Sequence, residues 1–293
     1  MNIEGQTVVI LGGKTGLLGQ ALVKAFADAG AHPVPLSSAD CDILDPLAVE
    51  IRLDKEDADI LVNAAAYTQV DLAEDEEDKA FALNATAPPL LASLAARRAI
   101  PFIHYSTDFV FNGEKHTPYT EYDETSAFSA YGISKADGER GLLKLGYDRT
   151  LIVRISWLFG PGRINFVEKI LSLCDDRNRL TVVNDQIGSP SYAPDIAMNT
   201  VKLIEKDATG IYHLANTGET SWHGLANTAV SLAGKDCIVA PVPTSEYPTK
   251  AVRPAYSVLD LSKFIRKTGV TPRTWEEALK EYVLIELGLQ QKK

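Results

Sequence analysis

Tyr131 and Lys135 stand four residues apart in the run Tyr131-Gly132-Ile133-Ser134-Lys135. On a helix that spacing places the phenol and the ammonium one turn apart on the same face. A phenol with a pKa near ~10 is a poor acid or base at neutral pH, and a neighbouring cation stabilises its phenolate and brings it toward the working range. Such a pair also arises by chance on surface helices. Its meaning depends on what the rest of the chain sets beside it.

The elements that would position the pair follow from the hydrophobic pattern. Thr7 to Leu11 is a short β-branched run, and the residues after it recur at helical spacing, so Gly13, Lys14, Thr15, Gly16, Leu17, Leu18 and Gly19 form a strand-to-helix turn. A phosphate-binding loop of the Walker type would need a glycine where Val8 stands. What remains is GxxGxxG, in which small residues let the backbone approach a pyrophosphate at a helix N-terminus. A second strand, His32 to Leu36, ends in Ser37 and Ser38 rather than in the carboxylate that binds the ribose 2'-hydroxyl of NAD, so a 2'-phosphate is tolerated. Asp42 follows, before Ile43, and either faces an adenine or is a solvated turn residue; both are candidate cofactor contacts. A third strand, Ile60 to Val62, leads into Ala64, Ala65 and Ala66, small enough for close approach by a cofactor.

Ala80 to Ala96 reads as a long helix interrupted near Pro88 and Pro89. Phe102 to Ser106 is a strand that delivers Thr107 and Asp108 to the carboxyl end of a sheet, where open α/β sheets place their ligands. A further strand, Leu151 to Ile155, ends at Ser156 and Trp157. Strands alternating with helices imply an α/β fold, a doubly wound parallel sheet of the Rossmann type. Residues 1–158 are expected to form this dinucleotide-binding domain. Residues 159–293 are expected to form a smaller, mostly helical substrate-binding lobe, with a segment near 193–216, including the late strand Gly210 to Leu214, returning to the sheet. Helical patterns recur at Ile196 to Glu205, Trp222 to Leu232 and Trp275 to Leu287.

At 293 residues and a formal net charge of −10, the chain is large enough for one elaborate domain or two, and its acidity argues against nucleic acid or an anionic membrane as partner. Cys41, Cys174 and Cys237 are far apart in sequence and suggest neither a zinc knuckle nor a disulfide framework. No apolar stretch reaches membrane-spanning length. A cytoplasmic protein is expected, with the Asn84-Ala85-Thr86 sequon a chance match.

These signals, in this order, resemble the extended short-chain dehydrogenase/reductase family, and within it the dTDP-4-dehydrorhamnose reductases. The matching stretches are Gly13 to Gly19, Asn63 to Thr68 with Val70-Asp71, His104 to Phe111, Tyr131 to Lys135, Arg154 to Trp157, Asn184 to Gly188, and Arg253-Pro254. The resemblance implies NADPH, with NADH as an alternative, and a nucleotide-sugar substrate. Tyr131 would give its proton to the sugar ketone, Lys135 would hold the nicotinamide ribose and lower the tyrosine's pKa, and Thr107 would bond the reacting oxygen. Tyr105 would border the cofactor, Asp108 and Trp157 would touch substrate, and Arg253 would meet its diphosphate. Related 4,6-dehydratases carry a second carboxylate where this chain has Phe109, which disfavours dehydration. An epimerase or a reductase of another 4-keto sugar nucleotide stays open, as does a non-catalytic subunit like that of methionine adenosyltransferase. Magnesium is left unassigned, no metal ligands are named, and a homodimer stays open.

Overall fold

The computed structural model describes residues 1–289. Six strands form one parallel sheet: β1 (Thr7–Leu11), β2 (His32–Leu36), β3 (Ile60–Asn63), β4 (Phe102–Thr107), β5 (Thr150–Ile155) and β6 (Gly210–Leu214), in the order β6-β5-β4-β3-β1-β2. Val9 lies between Val34 and Leu61, and Thr107 pairs with Ile155. The inner strands are buried because both faces are covered; β1 and β3 are almost wholly apolar, while β4 and β5 also bury His104, Ser106, Thr107 and Arg154. β2 is an edge strand, so Pro33 and Pro35 are accommodated there without breaking the ladder to β1.

One face is packed by α1 (Leu17–Asp28) and by later segments described below; Leu22 and Phe26 bury against Val8, Ile10 and Val62. The other is packed by α2 (Pro46–Lys55), which Asp45 caps through the amides of Leu47 and Ala48, and by α4 (Ala87–Arg97). The helix expected over 80–96 is continued differently from the sequence pattern. It starts as α3 (Glu77–Phe81), widens into a π-turn over Ala82–Thr86, and resumes as α4. Pro88 and Pro89 fall in the first turn of α4, where a missing N–H costs little, so they do not make the break. The π-turn turns Asn84 inward. Its side chain accepts from the Tyr67 amide at 2.9 Å and donates to the Tyr67 carbonyl at 3.0 Å and to Ser134 Oγ at 3.1 Å.

Ser134 lies on α5 (Ala130–Leu145), which Ser129 caps by accepting from the Gly132 amide. After β5 the chain builds a second core from α6 (Phe166–Asp176), then returns to the sheet through α7 (Ala193–Glu205) and β6, leaves again through α8 (Trp222–Leu232), and returns once more through α9 (Ser262–Thr268), before ending in α10 (Trp275–Glu281). Ile196 and Leu203 of α7 and Phe264 of α9 join the core under α1. The second core, around Phe159, Val167, Leu225, Trp275 and Tyr282, is framed by short strand pairs as well as helices: Arg179–Val183 with Ile238–Val242, Ile187–Gly188 with Thr220–Ser221, and Leu158–Phe159 with Ser191–Tyr192. The pattern over Trp275–Leu287 is α10 followed by a π-turn, Tyr282–Glu286. Pairing of the first two strands also brings Cys174 and Cys237 together. Their side chains share a hydrogen bond, although 62 residues intervene, and burial pushes the Cys174 thiol up to about 12.

Candidate active site

The carboxyl ends of β1, β3, β4 and β5 open into a cleft of about 790 Å³ between the sheet and the second core. Its floor at β1 is shaped by close backbone approach. Gly12 has φ +81°, and a Cβ there would sit 2.9 Å from the Ala65 amide nitrogen; one on Gly19 would sit 2.1 Å from the Gly12 carbonyl oxygen. Gly12, Thr15, Gly16, Leu17 and Leu18 border the cleft, with the Gly16 start of α1 free of any side-chain cap. Gly13, Lys14 and Gly19, expected to contact a cofactor, do not line it. Gly13 packs on Pro35, Gly19 lets α1 close on the turn, and Lys14 pairs outside with Asp40 at 2.7 Å. Asp40, a carboxylate four residues beyond β2, does not line the cleft either. It accepts from the Ser37 amide at 2.8 Å and from the Ser37 hydroxyl at 2.5 Å, and these bonds with Lys14 hold it far below the usual carboxylate range.

Ser37, Asp42 and Ile43 border the β2 end of the cleft, and Ala64, Ala65 and Ala66 the β3 end. Such a cradle, small residues against an uncapped helix start, fits a dinucleotide.

β4 and α5 supply the polar centre. Thr107 Oγ1 donates to Asp108 Oδ1 at 3.0 Å and accepts from the Phe109 amide at 3.2 Å. Asp108 also accepts from Ser257 Oγ at 2.6 Å, and burial pushes its carboxyl up to about 6. Asp108 therefore borders the cleft with both oxygens engaged, and its geometry orients Thr107 rather than offering a free carboxylate to a ligand. Tyr131 faces the cleft, edge-on to Phe109 at 5.7 Å. Burial pushes its phenol up to about 12; a hydrogen bond with Thr107 lowers it and the Asp108 charge raises it. The expectation that Lys135 brings this phenol down is not met. Lys135 is 2 % exposed, and its Nζ donates to the Tyr105 carbonyl at 2.5 Å and lies 3.4 Å from His104 Nε2. Burial lowers the ammonium to about 8. His104, held neutral by burial, lies with Nδ1 3.2 Å from Asn63 Nδ2. At neutral pH this set offers a protonated phenol and a charged lysine, which is a proton donor rather than a base.

The facing wall comes from the second core. Trp157, with φ 45°, stacks flat on Trp222 with ring centroids 3.7 Å apart, and Phe166 leans on Trp222 at 4.7 Å. Gly188 lies under Trp157, where a Cβ would come within 2.5 Å of the ring. Arg253 borders the cleft too, but both its terminal nitrogens are bound to Asp71, at 3.0 and 2.7 Å, and they hold that carboxyl below its ordinary value. Lys250 pairs with Asp75 beside them. Trp222, Phe166, Arg163 and Asn165 line the cleft without having been singled out in the sequence. Trp222 opens an amphipathic helix and reads as core; only the contact with Trp157, 65 positions earlier, gives it away. Among the described residues no cluster of three or more histidine, cysteine or acidic side chains could hold a metal, and no helix is long and apolar enough to cross a membrane.

Residues 6–286 match the family model described as the RmlD substrate binding domain. The chain is 39% identical to the spore coat polysaccharide biosynthesis protein SpsK of Bacillus subtilis over 94% of this chain and 97% of that protein. It is 38% identical to the dTDP-4-dehydrorhamnose reductase of Aggregatibacter actinomycetemcomitans over 93% and 97%. Among solved structures, that of dTDP-4-dehydrorhamnose reductase from Bacillus anthracis in complex with NADP superposes with a TM-score of 0.91 at 33% identity, covering 96% of this chain and 99% of the other. With residues 6–286 matched by the family model and relatives of 38–39% identity covering more than nine-tenths of its length, the chain belongs to the RmlD substrate-binding-domain family, that of the dTDP-4-dehydrorhamnose reductases.

Proposed function

We propose that this chain reduces the ketone of dTDP-4-dehydro-β-L-rhamnose to give dTDP-β-L-rhamnose, an activated sugar for polysaccharide synthesis, with NADPH as its reductant. The observation that carries the reading is the bonded Thr107–Tyr131 pair at the cleft wall with the Lys135 ammonium buried behind it. Gly12, Gly16 and Ala64 to Ala66 would let the dinucleotide backbone approach, Ser37 and Asp42 would border its adenosine end, and Tyr105 and Lys135 its nicotinamide end. When bound, NADPH supplies a hydride to the carbonyl carbon. The chain's own part is to manage the charge that develops on the carbonyl oxygen. Tyr131 holds its proton firmly in the free protein and releases it only to a stronger base, the nascent alkoxide. Thr107, whose one proton goes to Asp108 in the free protein, would turn it to the same oxygen when the ketone enters. The Lys135 ammonium, held on the Tyr105 carbonyl, would meet the nicotinamide ribose. Trp157 and Trp222 would form an apolar platform for the substrate, and Arg253 would exchange Asp71 for its diphosphate, whose geometry suits a guanidinium.

Phe109 packs its ring against Tyr131, so no second carboxyl is available for eliminating water. The test is to follow NADPH and NADH oxidation against a panel of 4-keto sugar nucleotides. Oxidation coupled to reduction of the dTDP-linked sugar is expected. Binding of NADPH without turnover of any panel member would overturn the reading.

A further inference from the structure

Lys135 is a buried cation with few groups to hold its charge. Its hydrogen-bond partners are the Tyr105 carbonyl at 2.5 Å and, at 3.4 Å, His104 Nε2. A neutral imidazole has one acceptor nitrogen. Asn63, fixed by the Ala65 amide donating to its Oδ1 at 3.2 Å, points Nδ2 at His104 Nδ1 from 3.2 Å and claims that acceptor. The lysine is left with one strong partner, a neutral carbonyl. Burial of an ammonium in such a place favours loss of its proton.

One turn further along the same face of α5 stands Glu139, also 2 % exposed. Arg154 of β5 grips it with two bonds, Nε to Oε1 at 2.9 Å and Nη2 to Oε2 at 2.6 Å. Arg154 is itself fixed by the Phe111 ring, 5.0 Å below its guanidinium, and by His213 Nε2 of β6 at 3.4 Å. The His213 amide in turn donates to Glu121 at 3.1 Å. The charged and titratable groups around Lys135 are thus Tyr131 and Glu139 on α5, His104 on β4, Asp108 after β4, Arg154 on β5 and His213 on β6, with Glu121 and Lys263 beyond them. Both histidines are lowered by burial and carry no charge at neutral pH, and Tyr131 is a neutral phenol. Two buried cations, Lys135 and Arg154, share this layer, and the Glu139 carboxylate opposes deprotonation of the lysine.

On the reading that Lys135 holds the cofactor, we propose that Glu139 is a positioning residue whose carboxylate, oriented by Arg154, is the shared counter-ion that keeps Lys135 protonated. A purely structural pair between α5 and β5 would stabilise the fold without touching the lysine's titration. The two roles separate in a pH profile.

The experiment measures NADPH affinity by fluorescence, and kcat/KM with the dTDP-linked ketone, from pH 6 to 10 in the wild type, Glu139→Gln and Arg154→Met, with folding checked by circular dichroism. In the wild type both readouts are expected to fall on a basic limb near pH 8. Glu139→Gln leaves Arg154 facing Lys135 unopposed and should move that limb down by about one pH unit. Arg154→Met removes a neighbouring cation and should move it up. The opposite signs are the signature, and Arg154→Met carries the test if Glu139→Gln does not fold. Limbs that superimpose on the wild type in the folded variants, or that both move the same way, would overturn the proposal. The binding arm does not depend on turnover, so a chain that binds NADPH but reduces no sugar would fail the functional reading while still deciding the role of Glu139.

Discussion

On the sheet side of the cleft, Thr107 and Lys135 are buried and their polar atoms are bonded within the core, whereas on the facing side Trp157, Trp222 and Arg253 are partly exposed and held by segments far apart in the chain. The sheet wall is bonded up before any ligand arrives: Asp108 holds the Thr107 hydroxyl and the Tyr105 carbonyl holds the Lys135 ammonium, so re-aiming either means exchanging a buried bond. The facing wall is provisional. Arg253 is already satisfied by a carboxylate, so an incoming anion gains only the difference between two partners. On the proposed reading, chemistry falls to the rigid wall and recognition to the adjustable one.

Variants on the two walls should therefore part in their kinetics. Tyr131→Phe removes the proton donor and should lower kcat by about 100-fold or more, with NADPH affinity unchanged, as losing a general acid does. Turnover within a few-fold of the wild type would end the division of labour, because the acid would then lie elsewhere. Trp222→Ala removes the support of Trp157 and should raise KM by roughly tenfold with kcat little altered, since a stacked pair contributes about 0.5–1.5 kcal/mol. A fall in kcat as large as that of Tyr131→Phe would show that the facing wall takes part in chemistry. Asp71→Asn frees Arg253 and should lower KM by about two- to fivefold, the range expected for releasing a partly exposed ion pair of about 0.2–1 kcal/mol. If KM rises instead, Asp71 is a brace for the arginine and the wall is less adjustable than its exposure suggests.

The same contrast governs what could be read in the sequence. β1, β2 and β6 lie where the sequence pattern placed them, because each strand is a short local run bounded by turn residues, whether buried throughout like β1 or partly exposed at the sheet edge like β2. Tyr131, Lys135 and Thr107 were legible because they belong to one strand and one helix with chemically informative spacing. The π-turn at Ala82–Thr86 was not, since a single added residue leaves helical periodicity nearly intact and is justified only by Asn84 reaching Tyr67. The prolines, a strong local sign, drew the break to the wrong place. The Lys14–Asp40 and Arg253–Asp71 pairs and the Trp157–Trp222 stack were equally hidden, because each joins elements whose proximity the fold alone decides. The low leverage of Lys135 on Tyr131 was missed for a different reason. A spacing on one helix face says that two groups are near, but the Tyr105 carbonyl, which takes the ammonium, comes from a strand.

The position of β6 has a consequence in time. This strand seals the edge of the sheet beside β5, and α7 before it covers Leu22 and Phe26, yet both are synthesised only after α6 and the strand Arg179–Val183 have emerged. A growing chain that has just completed β5 holds Tyr131 and Lys135 but presents an unpaired β5 edge and an uncovered apolar face. Synthesis therefore passes through an interval in which α5 exists without a closed sheet beneath it. It is over that interval, rather than in the finished protein, that the β5 edge is open to pairing with other chains.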